Sequence, residues 1–119
     1  MQSENIKVKP DRVLSMLGIA AKAGKVVSGE FATENAVKAG KAFLVVTAAD
    51  ASDNTSKKFR DMTGFYKVPM VVYGTKETLG GCIGKDYRSS LAVTDEKLAE
   101  AVTNKIKQTE ALTAEAVRK

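Results

Sequence analysis

Apolar positions along the chain alternate between helical spacing and short, nearly continuous runs. From residue 11 to 23, Val13, Leu14, Leu17 and Ala21 recur at helical spacing, with Pro10 before them and Gly24 after. The pattern predicts a helix that Gly24 closes as a left-handed residue. Lys25-Val26-Val27 is a short β-prone stretch, and Ser28 is placed to cap a second helix over 29–39. That helix carries Glu30 in its first turn, Ala32, Ala36 and Val37 along one side, and Gly40 at its end. AFLVVTA at 42–48 is an apolar run rich in branched residues. Such a run predicts a strand covered on both faces.

Asp50-Ala51-Ser52-Asp53-Asn54 is a turn-and-cap cluster that launches a helix through Phe59 and Met62 to about Phe65. Val68 opens another buried strand, with Pro69 near its start, continuing as MVVY to Gly74. Thr75 caps a short helix through Leu79, residues 80–90 read mostly as loop, and Leu91-Ala92-Val93 form a last strand. Thr94 or Asp95 then caps a final helix carrying Leu98, Val102, Ile106 and Thr109 or Leu112. Helices and buried strands alternate from end to end, predicting an α/β fold: a three-layer α/β/α sandwich with a four-stranded mixed sheet and about five helices. One domain spans 1–119 on this reading, with 1–10 an N-terminal tail and 107–119 a weakly apolar helical extension.

Composition fits that picture. A chain of 119 residues buries roughly two thirds of its unfolded surface, enough for a core without metal or disulfide staples. Hydrophobic content of 44% and charged content of 28% are ordinary for a globular domain. The N-terminus MQSENIKVKP has no apolar h-region. The longest apolar run, 42–46, falls well short of the ~18 residues of a membrane span, so no membrane association is expected. A single cysteine, Cys82, allows no internal disulfide, and a reducing, cytoplasmic setting is the expectation. Net charge is +5. The basic surplus lies before residue 91: residues 1–50 hold 7 Lys/Arg and 5 Asp/Glu, 51–90 hold 7 and 4, and 91–119 hold 5 of each.

Several chemistries drop out. The chain has no histidine, which removes the commonest general base and metal ligand. Cys82 lies beside Ile83 in a short apolar segment and reads as a packed small hydrophobe. Asp50 and Asp53 suit turn formation and helix capping better than metal binding. GIAAKAGKV at 18–26 approaches a phosphate-binding P-loop, but five residues separate Gly18 from Gly24 where the motif needs four, and Val26 stands where a hydroxyl should hold magnesium. Its glycine-lysine pair also closes a helix rather than opening one. The reading is therefore a non-enzymatic binding protein with no cofactor and no metal.

Four stretches carry a further signal: LGIAAKAGKVVSGE at 17–30, GKAFLVVTAADASDNTSKK at 40–58, YKVP at 66–69 and LGGCIGKDYRSSLAVTD at 79–95. In their joint order and spacing they resemble the ribosomal protein seven-Ae superfamily of kink-turn RNA binders, and within it the short bacterial YlxQ-like branch. The resemblance covers roughly residues 11–106. It implies an α/β/α sandwich that binds structured RNA, often ribosomal, at a sharply bent internal loop stabilised by sheared G·A pairs. In ribonucleoprotein assemblies of this type a ribosomal or other protein partner is also implied. The RNA site of the family joins the start of the second helix to a loop before the last strand. Here these are Ser28-Gly29-Glu30 and residues 84–90.

General physics supports such a site. A helix N-terminus presents free N–H groups and partial positive charge to a phosphate, and Gly29 lets a backbone approach closely. A bent loop opens the base edges that duplex RNA hides in its deep groove. Lys38, nine residues after Gly29, is placed to reach a phosphate, while Lys76, Lys85 and Arg88 add charge around the second loop. Tyr87 can stack on an extruded base, a contact worth about 1–3 kcal/mol.

The family's Gly-x-Asn-Glu-x-x-Lys signature falls on Gly29, Phe31, Ala32 and Asn35, and only the glycine is kept. Bidentate edge contacts worth ~1–3 kcal/mol each are thereby lost, although Asn35 still donates and accepts and Glu30 can accept from a guanine. An exposed Phe31 equally suits a protein hot spot. The rival reading is accordingly a protein-interaction adaptor on the same fold with an eroded RNA site.

Overall fold

The computed structural model describes the backbone of residues 11–118 and the side chains of residues 11–110. The expected tail at 1–10 and the Leu112 side chain lie outside them. The elements run α1 (Arg12–Lys22), β1 (Val26–Ser28), α2 (Glu30–Lys38), β2 (Leu44–Thr47), α3 (Asp53–Tyr66), β3 (Met70–Val72), α4 (Lys76–Cys82), β4 (Ser90–Val93) and α5 (Glu96–Arg118). The sheet is four-stranded and mixed, in the order β1-β4-β2-β3. β4 is antiparallel to both neighbours, with Val27 opposite Ala92 and Val45 opposite Ala92 on its other side, while β2 and β3 run parallel. The α/β/α class, five helices and mixed sheet agree with the sequence reading.

Alternation along the strands divides the core. Leu44, Val46, Leu91 and Val93 pack with Val13 and Leu17 of α1, Leu79 of α4, and Val102 and Ile106 of α5. Val45 and Ala92 face the other way, onto Ala36 and Val37 of α2 and Phe59 of α3. Phe59 is fully buried, a burial worth about 1.5–3 kcal/mol. With both faces covered, β2 and β4 are buried at every position, as the apolar run predicts.

Several local expectations need correction. The strand at 70–72 is an edge strand with Val72 exposed, because among the described residues β2 is the only neighbour of β3. On α1 the buried positions are Val13, Leu17 and Ala20, so Ala20 takes the place expected of Ala21. On α2 the buried face includes Thr33 while Ala32 is half-buried; the Thr33 hydroxyl meets that of Ser90 at 3.4 Å. Pairing of β1 continues to Ser28, opposite Leu91, so Gly29 becomes the α2 N-cap, at φ 94 and ψ 158, with no side-chain capping bond. Such a backbone is essentially open to glycine alone.

The largest difference lies at 80–82, which is the end of α4 rather than loop. Both glycines are helical, and Gly80 is there for space: a Cβ on it would sit 1.3 Å from the carbonyl oxygen of Asp86. Other caps fall as expected. Thr75 forms a reciprocal capping box with Thr78, Asp95 accepts from the amide of Leu98 at 2.9 Å, and Gly24 is left-handed at φ 75.

The topology gathers chain ends at two poles. β1, β2 and β3 point the same way and β4 points back. The starts of α2, α3 and α4 and the loop before β4 therefore meet at one pole. Loops 39–43 and 67–69 and the start of α5 meet at the other, where the amide of Phe43 donates to the carbonyl of Val93 and that of Val45 to Pro69. Open α/β sheets bind ligands beyond the carboxyl ends of their parallel strands.

Candidate nucleic-acid interface

At the first pole the helix starts differ in how their free amides are met. The Asp11 carboxylate caps α1, accepting from Leu14 N at 2.9 Å and from the hydroxyl of Tyr73 at 2.8 and 3.0 Å. Burial, and then the hydrogen bond to Asp11, push that phenol up to about 12. Ser52 accepts from Thr55 N at the start of α3. For α4, Thr75 accepts from Thr78 N, and Asp50 reaches across to accept from Lys76 N at 2.8 Å. The Asp50 expectation of a turn-and-cap role thus has a concrete partner on another element.

The α2 start has no side-chain cap. Gly29 N donates to the carbonyl of Ser90 at 2.9 Å, and Gly29 O accepts from Thr33 N. The amides of Glu30, Phe31 and Ala32 have no hydrogen-bond partner among the described residues. Nothing lies within 4 Å of where a Gly29 Cβ would project, so the approach is open. Ser28, expected as the cap, instead accepts from Arg88 Nε at 3.1 Å.

That contact joins the two halves of the site. Arg88 also donates from Nη1 to the carbonyl of Tyr87 at 2.9 Å. Two of its five donors are thus used, and the rest of the guanidinium is available to an anion. The loop before β4 is fixed by Arg88 N to Lys76 O at 3.0 Å, Lys85 N to Gly80 O at 2.8 Å and Ser89 O from Ala48 N at 2.8 Å. Tyr87 stands 68% exposed, and with Glu77, Gly81, Lys85 and Asp86 it borders a recess of about 560 Å³. Lys76, Lys85, Tyr87 and Arg88 are therefore assembled around one loop, beside Gly29.

Phe31 is 78% exposed, so it is not buried beneath α1. With Ala32 and Asn35 it borders a shallow groove of about 340 Å³ whose far wall includes Val27 and Lys41. Glu30 and Glu34 are held by cations: Lys58 of α3 lies 3.0 Å from Glu30 and 2.7 Å from Glu34, and Lys38 lies 2.7 Å from Glu34. The Lys38 and then the Lys58 hydrogen bonds draw the Glu34 carboxyl down to about 2. Glu34 and Glu30 in turn raise Lys58 above the ordinary lysine value.

Lys38 stands apart from the assembled group. It closes α2, two turns and roughly 12 Å along the helix from Glu30. Lys58 and Lys41 are the residues that sequence reasoning missed. Lys58 reaches α2 only through the tertiary packing of α3 on α2. Lys41 follows the helix-ending Gly40, a position that reads as an ordinary solvated lysine.

Comparison with known proteins bears on the same elements. Residues 11–103 match the model of the Ribosomal protein L7Ae/L30e/S12e/Gadd45 family. The chain is 43% identical over 84 residues to the RNA-binding protein YlxQ of Bacillus subtilis (strain 168), covering 71% of this chain and 84% of that protein. It is 33% identical over 89 residues to the RNA-binding protein YlxQ of Enterococcus faecium, covering 75% and 85% respectively. Among solved structures, a Bacillus halodurans C protein of unknown function superposes with a TM-score of 0.80 at 35% identity, over 82% of this chain and 99% of that one. The Giardia lamblia 15.5kD RNA binding protein gives a TM-score of 0.69 at 22% identity, over 94% of this chain and 99% of its own, a likeness of fold.

Proposed function

Because the chain belongs to the Ribosomal protein L7Ae/L30e/S12e/Gadd45 family, we propose that it is a non-enzymatic RNA-binding protein that grips a bent, kink-turn-like internal loop at the α2 pole. The observation that carries this reading is the open start of α2: three amides with no hydrogen-bond partner among the described residues stand beside the Arg88 guanidinium, next to the exposed ring of Tyr87. A phosphate at that point meets the positive end of the helix dipole and backbone donors together. Relatives named as RNA-binding proteins support the partner class.

The contact differs in kind from one built on Asn, Glu and Lys side chains. Phe31 offers a face for stacking, Ala32 a small surface, and Asn35 an amide, so shape and stacking replace part of the edge reading. Lys76 and Lys85 add charge along the flanking phosphates. Glu30, already engaged by Lys58, presents a neutralised edge. Structured RNA of ribosomal type is the partner this surface suits, and a cytoplasmic ribonucleoprotein is the corresponding setting.

Titration against a kink-turn RNA and a control whose G·A pairs are converted to Watson–Crick pairs tests the proposal across a salt series. The kink-turn should bind more tightly, with the preference retained as salt rises. Equal binding with a steep salt slope would reduce the interaction to charge attraction. Binding to neither RNA at moderate salt would leave Phe31 as a protein contact, the adaptor reading. Lys85→Ala combined with Arg88→Ala should weaken the kink-turn complex, and unchanged affinity would remove the loop from the site.

A further inference from the structure

The pole opposite the α2 start carries its own aromatic and cationic surface. A groove of about 840 Å³ lies where loops 39–43 and 67–69 meet α5. Phe43 and Tyr66 border it at 40% and 41% exposure, over a wall that includes Val68 and Pro69. Phe65, 77% exposed, meets Tyr66 edge-on at 4.9 Å. Four lysines, Lys38, Lys67, Lys97 and Lys107, line the groove with Phe43 and Tyr66, against two acids, Glu96 and Glu100. Lys38 shares Glu34 with Lys58. Lys67, Lys97 and Lys107 make no ion pair among the described residues.

Two of these lysines occupy positions where the backbone disfavours them. Lys67 closes α3 in the left-handed region at φ 60, the single non-glycine residue with positive φ among the described residues. A C-terminal site of this kind normally takes glycine or asparagine. Lys97 lies in the first turn of α5, where the helix dipole opposes a cation. Local stability explains neither choice, and both put their charge on the groove. Interleaved aromatic rings and lysines along an open channel match what an unpaired nucleic-acid strand needs: stacking faces for the bases and cations for the phosphates.

We propose that this groove is a second RNA surface that holds an unpaired strand, such as a single-stranded flank of the structured RNA gripped at the other pole. The choice of RNA as partner rests on the function proposed above; the groove uses no residue of the α2 start or of the Arg88 loop. An acidic peptide would satisfy the lysines but leave the half-exposed rings of Phe43 and Tyr66 without partners suited to them.

The test compares three labelled RNAs by fluorescence anisotropy: an unstructured U12 oligonucleotide, a blunt kink-turn RNA, and the same kink-turn with a ten-nucleotide unpaired tail. The wild-type chain should bind U12 with a log–log salt slope of about −2 to −3, as three or four neutralised phosphates require. It should also bind the tailed RNA about tenfold more tightly than the blunt one. Lys67→Glu with Lys97→Glu should abolish U12 binding and the gain from the tail, leaving the blunt complex unchanged. Tyr66→Leu, which keeps every charge, should weaken U12 severalfold. Lys85→Ala with Arg88→Ala should weaken the blunt complex and spare U12, so that failure at one pole is distinguished from failure at the other. No binding of U12, or a tail gain that survives in the Lys67/Lys97 variant, would overturn the proposal. So would competition by a polyglutamate peptide as effective as competition by unlabelled U12.

Discussion

Gly80 offers the sharpest test of how the loop before β4 is held. On local grounds Gly80→Ala should help, since glycine inside a helix costs about 1 kcal/mol relative to alanine. The tertiary structure reverses that sign. The added Cβ would lie 1.3 Å from the Asp86 carbonyl oxygen, 2.5 Å from its carbon and 3.2 Å from Tyr87 Cα. Restoring an ordinary carbon contact requires a backbone shift of about 2 Å, and the obstacles are backbone atoms that cannot rotate aside. Overpacking of this kind costs about 1–3 kcal/mol, so after the helix-propensity gain a net loss of up to about 2 kcal/mol remains. At the upper end that lowers a urea midpoint by roughly 1 M, and Gly80→Ala should in any case fall below Gly81→Ala by about 1–3 kcal/mol.

The displaced atoms also support the bond from Lys85 N to Gly80 O and carry Tyr87 and Arg88. Loss of one stacking contact, about 1–3 kcal/mol, corresponds to roughly 5- to 150-fold weaker RNA binding. Gly81→Ala is the stability control, because nothing lies within 4 Å of its Cβ; it should gain up to about 1 kcal/mol. Urea denaturation and RNA titration of the two variants together decide the matter. If Gly80→Ala matches Gly81→Ala in midpoint and keeps full affinity, the close approach of α4 to the loop is not what positions Tyr87 and Arg88.

Two other outcomes follow from features of the same molecule. Lys67→Gly should relieve the left-handed backbone at φ 60 and stabilise the fold by about 1 kcal/mol, raising Tm by roughly 4 °C, while weakening U12 binding. A scanning calorimetry trace with Tm unchanged or lowered would refute the strain. Glu34 has a folded value of about 2 against an ordinary 4.5. The stability it contributes is thus fully present above pH 4.5 and lost as pH falls through about 2. Glu34→Gln should flatten the acid limb of the stability–pH curve over that window, with the difference shrinking in high salt. Parallel curves for the two proteins would rule out the Lys38–Glu34–Lys58 ladder as its source.

Much of this was legible one element at a time. AFLVVTA announces a strand covered on both faces, and Thr75 and Gly24 mark a helix start and a helix end that the structure places there. What was not legible depended on partners distant in sequence. Ser28 looks like a cap until β4 draws it into a strand and Arg88, 60 positions on, takes its hydroxyl. Gly80-Gly81 looks like loop because its reason, the passage of Asp86 and Tyr87 against α4, is tertiary. Lys58 bridges Glu30 and Glu34 across two helices, a link that exists only once α3 packs on α2. The exposure of Phe31 is set by where α2 lies on the sheet, and helical spacing alone does not distinguish a buried ring from a presented one.

The order of strands in the sheet also has a kinetic side. Among the described residues β1 has β4 as its only neighbour, and Val27 pairs with Ala92, 65 residues later in the chain. At a synthesis rate of about 5–20 residues per second, the first strand waits roughly 3–13 s for its partner. During that interval β2 and β3 are free to pair with each other, but the bond from Gly29 to Ser90 that sets the start of α2 has no acceptor in place. The nascent chain therefore makes the β2–β3 half of its sheet available before the β1–β4 half. It completes the α2 pole only when β4, which lies between β1 and β2, has been made.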